Sequence, residues 1–355
     1  MKPIIFAVAL ALASVTASPP AQAGQAGKTL DIYFLDVEGG QATLIVTPAR
    51  QTVLIDAGFP GAGSFSSRAG DPAMARDPQR ILAVAKLAGV SRIDYFLATH
   101  FHADHAGGVP ELAQLIPIDA FVDHGGVTPD ADKVAGTIAI HQAYAAVREG
   151  KRHLEPKPGD RLPLTGIEAT IVSSGGEVLS TPLAGAAPGL NGACVPPGVP
   201  ASERTENPRS TGVLLRFGSF RFLDVGDLSD TPLYQLGCPS DLIGPVDVYL
   251  VSHHGGADAS DPSLFAALKP RVAILNNGAT KGGAAATFRT LRASAGTDTW
   301  QLHRSEVKGA ENFTDDRIAN LSNATAHWIK LSASDDGSFT VTNGRTGTTT
   351  RYRAR

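Results

Sequence analysis

The stretch "THFHADHAGG" at residues 99–108 sets His100, His102, Asp104 and His105 within six positions, directly after the apolar segment "SRIDYFLA". A short apolar run of this kind reads as a buried strand, so the histidines sit on the turn that leaves it. Only 10 histidines occur in 355 residues, which makes the cluster a local feature and not a compositional one. One metal ion takes three or four protein ligands, and alternate residues of a turn point in two directions. The spacing therefore suits two cations, with His100 and His102 addressing the first and Asp104 and His105 the second.

The rest of the chain repeats this plan. "LDIYFLDV" and "ATLIVTP" read as strands around a tight turn "EGGQ", and "QTVLIDAG" follows as a third. A helix is expected with Asp77 as N-cap, Pro78 at its first position, Ile81, Leu82, Val84, Ala85 and Ala88 on its apolar face, and Gly89 just past its end. Downstream, "STGVLLRF" and "SFRFLDVGD" form a hairpin turning at Gly218-Ser219, and "VDVYLV" runs into "SHHGG". "RVAILNN" and the tail from "HWIKLSAS" to "TTTRYRAR" add further strands. Two sheet-forming halves of similar plan suggest two sheets packed face to face with helices outside.

The second half supplies further ligand types at strand ends. Asp227 lies beyond the Val225-Gly226 turn, where a carboxylate can bridge two cations, whereas Asp224 stays within the strand pattern. His253 follows its strand and Ser252 directly and is the expected ligand, which leaves His254 to support it or to face substrate, with an exchange of the two roles as the open alternative.

The termini and composition bound where and on what this chemistry acts. Lys2, an apolar run of about a dozen residues and "SPPAQA" have the form of a cleaved secretory signal over residues 1–23. A transmembrane helix needs roughly 20 apolar residues, so the remaining chain is expected in the periplasm or outside the cell, with no membrane span. Residues 28–355 read as a single domain with an irregular Gly/Pro-rich insertion at 181–208. With 43% apolar and 18% charged residues a large core is feasible. A net charge of −3 argues against a strong nucleic-acid patch, and "KRHLEPKPGDR" reads as a solvated loop. Cys194 and Cys238, 44 positions apart, have no zinc-finger partners and are expected to pair in an oxidising compartment. Closing that loop stabilises a fold by about 4 kcal/mol in the chain-entropy picture.

Taken in order, "THFHADHAGG", "FLDVGDL" and "SHHGG" resemble motifs of the metallo-β-lactamase superfamily. "FLDVEGGQATLIV", "VLIDAG" and "ENPRSTGVLLRFGSFRFLDVGDL" are similar to its ComEC/Rec2-like branch, over about Leu30 to Asn277. The resemblance implies an α/β fold, an αββα four-layer sandwich of two mixed β-sheets flanked by helices, with a dinuclear site at one edge. It assigns His100 and His102 to the first metal, Asp104, His105 and His253 to the second, and Asp227 to both. Zinc is the expected pair of ions, with manganese or iron as alternatives. The superfamily's third histidine for the first metal is missing, and Asn207 or Arg209 stands in its region. His124 in "AFVDHGG" either fills that gap or serves substrate or structure, and Gln41 stands near where an aspartate is usual.

The implied reaction is hydrolysis, because two close cations acidify a water and polarise the scissile bond. Asp104 is the expected catalytic group, orienting that water and moving its proton to the leaving group. Asp227 at the bridging position points away from β-lactams, and the branch points to phosphodiester-type substrates, with Arg209, Ser210, His254 and His303 as contacts. Two other readings stay open. A lactone, thioester or β-lactam hydrolase would share the metals but use an apolar pocket from the segment around Cys194 and from Trp300. A non-catalytic metal-binding protein would hold the metals in a site closed to substrate.

Overall fold

A computed structural model describes residues 29–61, 71–195 and 206–354. The expected signal at 1–23 lies outside the described residues, as does 196–205 of the expected insertion. The first half forms β1 (Leu30–Phe34), β2 (Thr43–Val46), β3 (Thr52–Ile55), β4 (Ile93–Leu97), β5 (Ile118–Val122) and β6 (Arg152–Leu154). The second forms β7 (Glu168–Ser174), β8 (Glu177–Val178), β9 (Gly212–Phe217), β10 (Phe220–Asp224), β11 (Val248–Leu250), β12 (Val272–Leu275), β13 (Asp298–His303) and β14 (Ile318–Asn320). The tail adds β15 (Ile329–Ala333), β16 (Ser338–Asn343) and β17 (Thr349–Arg353). The helices are α1 (Arg76–Leu87), α2 (Ala103–Ala106), α3 (Val109–Leu115), α4 (Thr137–Arg148), α5 (Asp230–Gln235), α6 (Pro262–Leu268) and α7 (Ala285–Ala293).

Two mixed sheets result, in the orders β17-β16-β15-β1-β2-β3-β4-β5-β6 and β14-β13-β12-β11-β10-β9-β7-β8. The tail returns to the first sheet, pairing β15 antiparallel with β1. One core lies between the sheets, where Phe34, Ile45, Ile55, Leu97 and Val122 meet Val213, Phe222, Leu250, Ile274 and Trp300. Phe34 and Phe222 contact edge to face at 5.7 Å between centroids. A second core joins the outer face of the first sheet to α1, α3 and α4 through Phe96, Ile81, Leu112 and Tyr144. A third joins the other outer face to α5, α6 and α7 through Tyr249, Leu233, Phe265 and Phe288. The layers are thus αββα. Strands covered on both faces explain the near-continuous apolar runs, since Leu97 faces the inner core and Phe96 the outer one.

This topology gathers strand ends. β3, β4 and β5 run parallel, as do β10, β11 and β12, so each group delivers its following loops to one edge of its sheet. The two edges are tied at the site by Thr211 N–H donating to the Thr99 carbonyl at 2.8 Å. In open α/β sheets ligands bind outside the carboxyl ends of the strands.

Several local expectations are corrected. β1 stops at Phe34, because Asp36 leaves the ladder to accept from Glu38 N–H at 3.0 Å and to pair with Arg80 at 3.2 Å. The connection to β2 is therefore a loop and not a tight turn. α1 is capped by Ala75, and Asp77 sits inside its first turn, accepting from Phe59 N–H at 2.8 Å and pairing with Arg76 at 2.5 Å. Within "KRHLEPKPGDR", Arg152–Leu154 is the edge strand β6, paired parallel with β5. No helix among the described residues is long and apolar enough to cross a membrane.

Cys194 and Cys238 form a disulfide that closes 44 positions of chain. It holds the irregular segment before residue 196 against the end of α5, where Asn191 also donates to the Gly237 carbonyl at 2.9 Å. A C194S/C238S variant is expected to lose roughly 2–4 kcal/mol of stability, read as a lower urea midpoint. An unchanged midpoint would show that this segment is held without the crosslink.

Candidate metal centre

The site is built outward from Asp56, which ends β3 in a left-handed conformation at φ 59°. Its carboxylate accepts from Thr99 N–H at 2.8 Å and from the Thr99 hydroxyl at 2.7 Å. It also holds His105 Nδ1 at 2.7 Å. Fixing Nδ1 in this way aims Nε2 outward, the arrangement that orients metal-binding imidazoles. His105 Nε2 then lies 3.1 Å from Asp227 Oδ2, 3.4 Å from Asp104 Oδ2 and 3.2 Å from His254 Nε2. The turn that presents Asp104 and His105 is α2, a single helical turn capped by His102. Its backbone is pinned by Gln41 N–H on the Asp104 carbonyl at 3.0 Å and Ala57 N–H on the His105 carbonyl at 2.7 Å.

Asp227 and His254 come from the other sheet. Ser252 Oγ donates to the carbonyls of Gly226 at 3.0 Å and Leu228 at 2.6 Å, locking the turn after β11 to the loop after β10. His253 and His254 then occupy consecutive left-handed conformations, at φ 49° and 55°. This turn buries His254, whose Nε2 lies 3.2 Å from both Asp227 Oδ1 and Asp104 Oδ2. His253 stays at the rim with its side chain 25% exposed and its Nε2 3.7 Å from Asp227. Its Nδ1 is held by Asp258 at 2.7 Å. The imidazole that converges on Asp104, His105 and Asp227 is therefore His254, and His253 takes the outer position, which is the exchanged arrangement of the two that the sequence left open.

Asp104, His105, Asp227 and His254 offer one ligand atom each, all within 4.8 Å of one another and all buried. Two imidazoles and two carboxylates are a donor set that suits zinc, manganese or iron, so these residues fit a divalent cation. His100 and His102 stand beside this group and outside it. Their Nε2 and Nδ1 atoms are 2.9 Å apart, and the His100 ring lies 4.1 Å from that of His105. A second cluster, Asp123, His153 and Glu155, has Arg148 already among its members, 3.1 Å from Asp123.

The other expected contacts fall elsewhere. His124 Nε2 is held by the buried Glu206 at 3.1 Å and is not in the four-residue group. Arg209 donates to the Gly126 carbonyl at 2.9 Å. Asn207 Nδ2 is 3.4 Å from His253 Nε2, which places it at the rim. Ser210 is fully buried with Oγ 3.5 Å from His100 Nδ1, and His303 is fully buried against Asp36 at 2.8 Å, so neither is open to substrate. Asp224 ends β10 facing inward, where both its oxygens accept from Gln41 Nε2 at 3.0 Å.

Burial favours the neutral form of every group here and is the largest single influence. At Asp104 the charges of Lys281 and His105 override it, and at Asp227 those of His105, His254 and His253 do, holding both carboxyls well below their usual range. Burial likewise opposes a charge on His105, but Asp227, Asp104 and Asp56 hold it well above the ordinary imidazole value. At His100 burial is reinforced by His105 and His102, which keeps that ring neutral. Burial also pushes Asp224 up to about 7, against donation from Gly226.

Sequence reading missed Asp56, Asp258, Glu206 and Lys281. Asp56 had a usable signal, since "LIDAG" ends an apolar strand in a carboxylate as "FLDVGD" does. Lys281 had none: it lies in a glycine-rich loop after β12, and only the fold brings it onto Asp104.

A sequence model of the metallo-beta-lactamase superfamily matches residues 35–195. A metal-dependent hydrolase of Cupriavidus necator is 27% identical over 160 residues, 42% of this chain and 48% of that protein. The match thus spans about half the length of that relative. Among solved structures, a metallo-beta-lactamase of Cronobacter sakazakii is 14% identical over 62% of this chain and 76% of its own, at a TM-score of 0.36. The diiron beta-hydroxylase CmlA of Streptomyces venezuelae is 15% identical over 76% and 53%, at 0.41. A diphosphatase of the PhnP family is 14% identical over 76% and 94%, at 0.37. The architecture of this chain is two mixed sheets packed face to face and flanked by helices.

Metal affinity measured by equilibrium dialysis should separate the neighbouring histidines. His254→Ala is expected to weaken binding by about 100-fold or more, Asp56→Asn by about 10–100-fold, and His253→Ala by less than about threefold. Equal losses at 253 and 254 would remove the distinction drawn between them.

Proposed function

We propose that this chain, with its match to the metallo-beta-lactamase superfamily over residues 35–195, is a metal-dependent hydrolase of the ComEC/Rec2-like branch acting on phosphodiester-type bonds. The observation that carries this reading is the convergence of Asp104, His105, Asp227 and His254 in one buried group. In this reading Asp104, His105, Asp227 and His254 would hold one divalent ion, and His100 and His102 beside them would serve a second with Asp227 shared, with zinc the leading metal and manganese or iron alternatives. Bound divalent ions supply an acidified water and a Lewis acid for the scissile bond.

The chain's own residues account for the remaining steps. Asp56 fixes the ring of His105, and Ser252 fixes the turn that carries His254. Asp104 orients the attacking water, takes its proton at the carboxylate and passes it to the leaving group. His253, with Nδ1 held by Asp258, keeps Nε2 at the rim to donate to an oxygen of the substrate or leaving group.

Support for an anionic substrate comes from the ammonium of Lys281 beside the group, and the aspartate at position 227 points away from β-lactams by the resemblance noted above. The apolar-pocket alternative loses a wall, because Trp300 is fully buried and its Nε1 donates to Tyr352 at 3.0 Å. A closed, non-catalytic site is opposed by the partial exposure of His253 and Lys281 at the rim. Export through residues 1–23 is part of the proposal, and the Cys194–Cys238 disulfide supports it.

The test is a panel of a bis-aryl phosphate, a neutral lactone and a chromogenic β-lactam, assayed with zinc- and manganese-loaded protein. Turnover is expected on the phosphate, abolished by chelation and lowered about 100-fold or more by Asp227→Ala. Turnover confined to the lactone or the β-lactam would overturn the phosphodiester assignment.

A further inference from the structure

Among the described residues, Lys281 is a cation in direct contact with the four-residue group that the ligand scheme does not use, and its surroundings are specific. Its Nζ donates to the Gly39 carbonyl at 2.8 Å and to Asp104 Oδ2, and it lies 5.9 Å from the centroid of the Phe59 ring. Its side chain is 41% exposed, so the ammonium sits between the buried carboxylate and solvent.

The base of this lysine is fixed. Gly278 N–H donates to the Lys281 carbonyl at 2.9 Å, and Gly283 N–H donates to the carbonyl of His254 at 2.9 Å. The approach is close enough to require glycine on both sides. A Cβ on Gly282, which has φ +70°, would lie 2.3 Å from the His254 carbonyl oxygen, and one on Gly39, with φ +89°, would lie 2.8 Å from Lys281 Cβ. A long, jointed side chain is thus mounted on a rigid loop clamped to the turn that carries His254.

The other cations near the site differ in one respect. Arg76 and Arg80 pair with Glu38, and Arg209 reaches Glu206, none of which belongs to the four-residue group. The carboxylate that pairs with Lys281 is Asp104, which is itself a member. A divalent ion held by Asp104 and the ammonium of Lys281 compete for the same oxygen. If the ion takes that oxygen, the ammonium of Lys281, 41% exposed and still linked to the Gly39 carbonyl, is left free to meet water or an anionic group at the rim.

We propose that Lys281 is a displaceable cation, which neutralises Asp104 in the metal-free protein and, once a metal ion takes that carboxylate, anchors a non-bridging anionic oxygen of the substrate. This rests on the hydrolytic reading above and deepens it, because it makes the site selective for substrates carrying a negative charge next to the scissile bond. A neutral lactone or ester gains nothing from the ammonium.

The test compares wild type with K281M, which removes the charge, and K281R, which keeps it. Zinc affinity of the metal-free protein is read by competition with a chromophoric chelator, and inorganic phosphate binding to the zinc-loaded protein by calorimetry. K281M is expected to bind zinc about tenfold more tightly and phosphate about tenfold more weakly, with K281R staying nearer wild type in phosphate binding. With a phosphodiester and a neutral ester as substrates, the loss of kcat/KM should be at least about tenfold greater for the phosphodiester. Unchanged or weaker zinc binding in K281M overturns the competition with metal, and unchanged phosphate binding overturns the anchoring role. K281Q replaces K281M if the latter fails to show a native thermal melt. Absence of any phosphodiester turnover in wild type would overturn the hydrolytic reading, while the zinc and phosphate measurements would still decide the role of Lys281.

Discussion

Asp104 and Asp227 are almost completely withdrawn from water, at 8% and 2% exposure, and an ionised carboxylate so placed costs several kcal/mol unless opposite charge reaches it. The arrangement of the surrounding residues follows from that constraint. His105 and His254 each lie within 3.4 Å of both carboxylates, and Lys281 caps Asp104 from the solvent side. Asp56 adds a third buried carboxylate behind His105 and raises the proton affinity of that ring. A protein that needed only a stable fold would gain by replacing such a cluster with apolar side chains. Its cost is offset by the three cores that flank it, where aromatic and branched side chains each contribute about 1.5–3 kcal/mol on burial.

The two sheets divide the work. The first sheet provides His100, His102, Asp104 and His105 from one turn after β4, with Asp56 from the end of β3 as its backing. The second provides Asp227 and His254 from neighbouring parallel strands, whose loops are locked together by Ser252. Neither half holds a complete ligand set, so the site exists only when the inner core has formed. Inner-core contacts such as Phe34 on Phe222 therefore set the geometry of ligands several residues away.

The fold class and the strands that lead into the site were legible because burial on both faces imposes long apolar runs, whereas β6, β7, β8, β13 and β14 were not read from the sequence, β6 lying in a segment taken for a solvated loop. Three further kinds of feature were not legible. Helix and strand ends shifted where a side chain found a tertiary partner, as Asp36 did with Arg80 and Asp77 with Phe59 N–H. The choice between His253 and His254 depends on two left-handed backbone conformations that a doubled histidine does not announce. Roles that depend on chain segments far apart in sequence, such as Lys281 on Asp104 and Glu206 beneath His124, leave no local pattern at all.

The same turn after β11 illustrates how position, more than residue type, decides chemistry here. His253 and His254 are chemically identical and adjacent, yet one is buried among Asp104, Asp227 and His105 while the other meets Asp258 at the rim. Burial opposes a proton on the outer ring, but the charge of Asp227 and then the hydrogen bond and charge of Asp258 override it and push its proton affinity up to about 9. The left-handed turn therefore sends one imidazole into the buried group and leaves its neighbour at the rim, and the partly exposed ammonium of Lys281 meets the same group at Asp104. Buried carboxylates and imidazoles with an ammonium at their edge make a preorganised polar site whose charges are fixed by the fold before anything binds.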